Sequence, residues 1–135
     1  MLDEKTKELL VKEAVNARFM ARAAKSGFHV GAALLTKNGE IITGCNVEVT
    51  NTLMSICAER ATICKAISMG YTEFEAMAVS SDSQKVISPC GICRQFLLDF
   101  GLDMPVIMTD CNGEKIIETT VGGLSPYAFI GTTVR

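Results

Sequence analysis

Residues 30–45 read VGAALLTKNGEIITGC, and this stretch decides how the fold begins. Two apolar, strand-like runs flank the polar residues 37–40, whose Asn38-Gly39 pair is a strong signal for a β-hairpin turn. We therefore expect the first two strands, residues 30–36 and 41–45, to be antiparallel neighbours.

The segments on either side of this hairpin predict an alternation of helices and strands. Asp3 can cap a first helix that ends at Ser26-Gly27. Its apolar positions recur at helical spacing, at Leu10, Ala14, Ala17, Ala21 and Ala24. Two helix–strand pairs follow, and the expected elements are helices over about 57–69 and 89–100 and strands over 74–80, 105–109 and 115–118. This order predicts an α/β fold with a mixed five-stranded sheet, in one domain covering residues 1–135.

Composition limits the kind of partner this chain can have. With 48% hydrophobic residues, 135 residues can bury one core. The net charge is -2 and no run of Lys or Arg is present, which argues against a nucleic-acid binder and favours a small-molecule substrate. We expect no membrane association and a cytoplasmic protein, because no apolar signal region or stretch of about 20 apolar residues is found.

Two short motifs predict a metal centre. Cys57-Ala58-Glu59 and Pro89-Cys90-Gly91-Ile92-Cys93 supply three thiolates and one carboxylate. Three protein ligands are typical of a catalytic zinc site, whose fourth position is left for water. The pattern Cys-x-Glu followed by Pro-Cys-x-x-Cys is typical of zinc-dependent nucleobase deaminases, in which the Glu carries protons and does not bind the metal.

These motifs assign roles to three kinds of side chain. We expect Cys57, Cys90 and Cys93 to bind one zinc ion and Glu59 to act as the general acid and base. Arg60 is expected to hydrogen-bond the sulfurs and offset the negative charge of three thiolates.

The remaining cysteines and the single histidine have simpler interpretations. The missing signal region argues against disulfides, and Cys45, Cys64 and Cys111 are expected to be small buried apolar residues. One of the three could instead close the fourth position of a non-catalytic zinc module, although Glu59 would then have no role. His29 is expected to be a packed or hydrogen-bonded residue.

Nearly the whole chain resembles the small homo-oligomeric cytidine deaminases. The resemblance lies in residues 28–34 (FHVGAAL), 44–48 (GCNVE), 57–60 (CAER) and 88–95 (SPCGICRQ). It implies a three-layer α/β/α fold and deamination of cytidine or deoxycytidine to uridine or deoxyuridine, with release of ammonia, as in pyrimidine salvage. It also implies a substrate site, in which Phe28 stacks on the pyrimidine, Asn46 and Glu48 hold ribose hydroxyls, and the Ala58 backbone binds the base.

Two segments depart from the family pattern, and one resembles the family tail. Residues 49–52 (VTNT) replace the usual Asn-Ala-x-Tyr, and Ala24-Lys25 replaces the usual Pro-Tyr. Both departures fall near the sugar side, so blasticidin S or another aminopyrimidine nucleoside is the alternative substrate. Residues 124–129 resemble a tail that carries an aromatic, here Phe129, into the site of a neighbouring subunit, which implies a homo-oligomer, expected to be a tetramer.

Overall fold

The computed structural model describes residues 2–131, so Met1 and the last four residues of the expected single domain lie outside the described residues. The chain forms a five-stranded sheet with helices on both faces. The strands are β1 (Val30–Thr36), β2 (Ile41–Cys45), β3 (Phe74–Ser81), β4 (Pro105–Thr109) and β5 (Ile116–Thr120). The helices are α1 (Glu4–Ala17), α2 (Ala58–Ser68), α3 (Gly91–Leu97) and the short α4 (Val121–Leu124).

The sheet has the order β2-β1-β3-β4-β5 and is mixed, as predicted. β1 pairs antiparallel with both β2 and β3, β3 runs parallel to β4, and β5 returns antiparallel to β4. The turn between β1 and β2 places Gly39 at a φ of 90°, a conformation that glycine adopts readily. Because β1 runs opposite to its neighbours, its first residues lie beside the last residues of β2 and β3.

Alternate residues of each strand face two different cores. On one face, Ala33, Ala76 and Ala78 pack with Leu10 and Ala14 of α1. On the other face, large apolar residues of the strands, Leu34, Met77, Val79 and Val106, pack in one core with Ile63 of α2 and Leu97 of α3. Period-two alternation explains this division, and it confirms the expected α/β layers.

Small residues let α1 approach the sheet closely. A Cβ added at Gly31 would lie 2.2 Å from the carbonyl oxygen of Ala14. No Cβ fits at that distance, so Gly31 fixes how closely α1 packs on β1.

The structure corrects two expectations. The first helix ends at Ala17, followed by one 3-10 turn, Arg18–Met20, and does not reach residue 24. The chain becomes extended at Ala21 because Arg22 pairs with residues 46–48, donating its backbone N–H to Asn46 and accepting one from Glu48. The prediction that three cysteines are buried was also wrong: Cys64 is exposed, and Cys45 and Cys111 are half-buried.

No helix within residues 2–131 combines the length and the apolar character that crossing a bilayer requires.

Candidate active site

Three thiols meet where two helices begin. Cys57 is the N-cap residue of α2, Cys90 is the N-cap of α3, and Cys93 lies in the first turn of α3. Their sulfurs all lie within 4.8 Å of one another, and the Sγ atoms of Cys57 and Cys90 are 3.8 Å apart. Neither N-cap side chain accepts a capping hydrogen bond from the backbone of its own helix. As N-cap residues, both thiols lie at the positive end of a helix dipole, which stabilises thiolates.

The spacing of these sulfurs fits tetrahedral zinc. With Zn–S bonds of about 2.3 Å, two ligands at a tetrahedral angle lie about 3.8 Å apart. The Cys57 and Cys90 sulfurs have that separation. Across residues 2–131, this is also the one cluster of three or more metal-ligating side chains, and it contains no fourth sulfur. The residues present therefore fit one zinc ion held by three thiolates, with a position left open.

Hydrogen bonds among the thiols and Arg60 prepare the site for metal. The pKa of the Cys57 thiol falls from 9.0 to about 5, because the Cys93 thiol donates a hydrogen bond to it and Arg60 lies beside it. The same bond raises the pKa of Cys93, the donor. One thiolate is thus available near neutral pH before any metal binds.

Arg60 contacts two of the three sulfurs. Its Nε donates to Cys93 Sγ at 3.5 Å and its terminal nitrogen to Cys57 Sγ at 3.6 Å. Burial would lower the pKa of the guanidinium, but the hydrogen bonds to these sulfurs raise it. Arg60 can therefore offset part of the negative charge of the thiolates.

Glu59 is buried beside the thiols. The residue is only 4% exposed, and this burial raises the pKa of its carboxyl from 4.5 to about 7. A carboxyl with a pKa near 7 can both accept and donate a proton at neutral pH. This is the chemical property that a proton carrier requires.

A cavity of about 490 Å³ opens at the thiols. Its lining includes seven of the ten residues singled out from the sequence, namely Phe28, Asn46, Glu48, Cys57, Glu59, Arg60 and Cys90. The other three, Cys93, Ala58 and Phe129, do not line it. Another cavity, of about 420 Å³, lies between α1 and β5 and contains none of the thiols, so we place the chemistry in the first one.

Two of the expected substrate ligands are engaged by the chain itself. The Asn46 amide accepts a hydrogen bond from the Val30 N–H and donates one to the Phe28 carbonyl, both at 2.9 Å. The Glu48 carboxylate accepts hydrogen bonds from the backbone of Lys25 and Ser26 at 3.0 Å and from the Ser26 hydroxyl at 2.6 Å. The hydroxyl contact chiefly lowers the pKa of Glu48, so this carboxylate faces the cavity in its charged form.

Ala58 and Phe129 lie outside the lining for different reasons. Ala58 is fully buried at the start of α2. Phe129 is 76% exposed, and its carbonyl accepts a hydrogen bond from the Gln95 side chain at 2.8 Å. Within one chain, therefore, the Phe129 ring does not reach the cavity.

The two segments that depart from the expected pattern contact each other beside the cavity. The Lys25 ammonium donates to the Thr50 carbonyl at 2.5 Å and lies 3.5 Å from the Thr52 hydroxyl. The Arg22 guanidinium donates to the Glu48 carbonyl. Ser26 and Thr52 both line the cavity. The sequence placed residues 49–52 near the sugar side, but it gave no such role to Ser26.

Comparison with known proteins agrees with this geometry. Residues 4–109 match the model of the cytidine and deoxycytidylate deaminase zinc-binding region. The chain belongs to this family. It is 46% identical to a cytidine deaminase of Sporosarcina psychrophila over 123 residues, which make up 90% of each chain. A blasticidin-S deaminase of Bacillus cereus is 37% identical over 109 residues, covering 75% of this chain and 76% of that protein.

A solved structure shares the whole fold of this family member. The crystal structure of cytidine deaminase from Burkholderia pseudomallei superposes with a TM-score of 0.86 and is 36% identical, covering 95% of this chain and 100% of that one. The predicted fold class and the expected zinc are thereby confirmed.

Proposed function

We propose that this protein is a zinc-dependent hydrolase that deaminates cytidine and deoxycytidine to uridine and deoxyuridine, with release of ammonia. One observation carries the proposal: a buried carboxyl, Glu59, lies beside an open three-thiol site in a cavity that also presents an aromatic ring, Phe28. The 46% identity with a protein named cytidine deaminase supports the same substrate.

The metal would be held by Cys57, Cys90 and Cys93. Zinc in an open three-ligand site acts as a Lewis acid and makes bound water more acidic. Arg60 limits the negative charge that three thiolates bring, through its contacts with Cys93 and Cys57.

Glu59 moves the protons that the reaction requires. Hydrolysis joins a water oxygen to the ring carbon that bears the amino group and breaks the bond to that group. The proton that water loses must reach the ring nitrogen, and the amine needs a proton before it leaves as ammonia. Glu59 is suited to both transfers because its pKa of about 7 lets it alternate between the two protonation states.

The other cavity residues are proposed to hold the nucleoside. Phe28 would stack on the pyrimidine, since bases stack on aromatic faces. Asn46 and Glu48 would meet the ribose hydroxyls with the hydrogen-bonding capacity that their contacts with the chain leave free. The Ala58 backbone would bind the base from the start of α2.

A side-by-side assay tests the substrate. Zinc-loaded protein is incubated with cytidine, deoxycytidine and blasticidin S, and ammonia release is measured for each. We expect kcat/KM to be higher for the two nucleosides. Blasticidin S is the second candidate because the contact between Lys25 and Thr50 changes the sugar side and because a blasticidin-S deaminase is 37% identical. A kcat/KM highest for blasticidin S would replace the proposed substrate, and release from none of the three would refute the proposal.

We further propose that the sites are completed between subunits of a homotetramer, with Phe129 entering a neighbour's cavity. Two apolar side chains that line the cavity are exposed in one chain, Leu53 by 95% and Ile92 by 65%, and Phe129 of the tail is exposed by 76%. Covering them with another subunit would remove apolar surface from water.

Mixing two defective variants tests this assembly. Glu59→Gln chains lack the proton carrier, and Phe129→Ala chains lack the donated ring. Hetero-oligomers of the two should regain activity that neither variant has alone. A fully active monomer by light scattering at assay concentration would refute the shared site.

The thiol ligands also support a location. Three cysteines must stay reduced to bind zinc, and cytoplasmic thiols are kept reduced. We therefore propose a cytoplasmic enzyme of pyrimidine salvage that acts on free nucleosides, in keeping with its net charge of -2.

A further inference from the structure

Residues 28–30 present two side chains to the cavity from a short extended segment. Phe28 and Val30 line the cavity, so His29 between them points to the other side. The Asn46 side chain holds the outer two residues, through the Phe28 carbonyl and the Val30 N–H. The position of the Phe28 ring therefore depends on what holds the middle residue.

Asp82 holds that middle residue through three contacts. Its Oδ2 accepts hydrogen bonds from the His29 backbone N–H at 2.8 Å and from the His29 ring at 2.6 Å. Its own N–H donates to the His29 carbonyl at 3.0 Å. Asp82 directly follows β3, so these contacts extend the pairing of β1 and β3 beyond Val30 and Ser81, their last registered pair.

The second oxygen of Asp82 is fixed by a buried cation. Arg18 is 8% exposed and donates to Asp82 Oδ1 at 2.8 Å. The remaining guanidinium donors reach the Cys111 carbonyl at 2.8 Å and the Val15 carbonyl at 3.2 Å. A buried charge is held strongly to its partner, because separating the two would leave the charge uncompensated. Both Asp82 oxygens are thus set in place from two directions.

We propose that Asp82, fixed by Arg18, is a positioning residue for the deamination, acting through His29 to hold Phe28 against the pyrimidine. Asp82 itself does not line the cavity, and its hydrogen bonds with His29 connect it to the segment 28–30 that does. The inference rests on the proposed function, since it assumes that Phe28 contacts the base.

Asp82→Asn keeps a polar side chain of similar shape at position 82 but removes one of the two acceptor oxygens, so it tests whether both contacts are needed for positioning. The amide has one oxygen in place of two, so it cannot accept from both Arg18 and the His29 N–H. In the zinc-loaded enzyme we expect KM for cytidine, and the inhibition constant of uridine, to rise about fivefold or more, because small displacements of a positioning contact reduce function strongly. We expect kcat to change less than twofold, since Glu59 and the thiols are not touched.

A double-mutant cycle with Phe28→Ala shows whether the effect passes through the ring. Phe28→Ala alone should raise KM about tenfold, as expected for loss of base stacking. If Asp82 acts through Phe28, adding Asp82→Asn to Phe28→Ala should raise KM no further. Multiplied effects in the double variant would overturn the inference, as would an unchanged KM in Asp82→Asn.

Two further variants guard against a purely structural explanation. Asp82→Glu keeps the charge beside Arg18 but moves the carboxylate relative to His29, so it should have a higher melting temperature than Asp82→Asn while KM stays raised. A parental KM together with a parental melting temperature in Asp82→Glu would overturn the inference. Asp3→Ala removes a carboxylate that caps α1 far from the cavity, and it should lower stability without changing KM.

An unchanged KM in Phe28→Ala would instead refute the stacking role and the inference with it, and it would leave the proton chemistry of Glu59 standing.

Discussion

Replacing Glu59 by Gln should stabilise the metal-free protein at alkaline pH while abolishing its chemistry. Burial raises the pKa of this carboxyl from 4.5 to about 7, and the residue is 4% exposed, so little solvent screening applies. One pKa unit corresponds to 1.36 kcal/mol, so keeping Glu59 ionised in the fold costs about 3 kcal/mol. Gln has nearly the same shape and avoids this cost.

The direction of the pH effect on stability depends on whether the folded or the unfolded state loses the Glu59 proton at the lower pH. The folded pKa lies above the unfolded value, so below pH 4.5 both states hold the proton and nothing is lost. As pH rises toward 7, the unfolded chain ionises first, and the free energy of unfolding falls. The advantage of Glu59→Gln should therefore grow by about 3 kcal/mol between pH 4 and pH 8.

Urea unfolding of both proteins at the two pH values measures this difference, with chelator and reductant present. Taking the difference between variant and parent cancels the titration of the thiols to first order. Glu40→Gln, at an exposed position in the hairpin turn, is the matched control and should show no comparable growth. A Glu59→Gln advantage that stays constant between pH 4 and pH 8 would refute the reasoning. In the zinc-loaded enzyme the same variant should lose about 10²- to 10⁴-fold in turnover, as is typical for a lost general base.

Three other substitutions test the site and the fold. Cys57→Ala should lose both zinc and activity because it removes one of the three thiol ligands. Metal analysis that finds one zinc per chain in this variant would exclude Cys57 as a zinc ligand. Arg60→Gln removes charge-assisted hydrogen bonds to two sulfurs and should lower turnover about 10- to 100-fold at neutral pH, which a normal rate would contradict. Gly31→Ala would place a Cβ 2.2 Å from the Ala14 carbonyl oxygen, so we expect a loss of about 3 kcal/mol in unfolding free energy, whereas an unchanged melting temperature would show that α1 can shift freely.

The parts of the fold that the sequence predicted are those governed by local signals. The bounds of β1, β2 and β4 agree with the structure because turn residues or a proline mark their ends. The end of α1 could not be predicted, because apolar spacing continues through Ala21 and Ala24 while tertiary pairing of Arg22 with residues 46–48 draws the chain out of the helix. Propensity is a weak guide wherever such pairing competes with it.

The candidate site likewise contains residues that local sequence signals predict and residues that only tertiary contacts bring together. The clustering of the three thiols could be predicted because the motifs that contain them have a fixed spacing at a helix start. Asp82 carries no comparable signal, because 53 residues separate it from His29 and 64 from Arg18. The antiparallel pairing of β1 with β3 brings His29 to Asp82, and Arg18 reaches it from the turn that follows α1. The burial of Cys64 was mispredicted because an apolar neighbourhood in sequence does not specify which face of α2 a residue occupies.

The two departures from the family pattern form a single structural change. The Lys25 ammonium donates to the Thr50 backbone carbonyl and lies 3.5 Å from the Thr52 hydroxyl, so the two segments are in contact. The Lys25 and Ser26 amides are held by Glu48, one residue before the second departure. A lysine in place of an aromatic at position 25 supplies hydrogen bonds where a ring would supply apolar contact, so the loop that replaces Asn-Ala-x-Tyr can be tied down without a tyrosine. The substrate preference of this enzyme should therefore be set by Lys25 and residues 49–52 acting together, and exchanging either segment alone would leave the other without its partner.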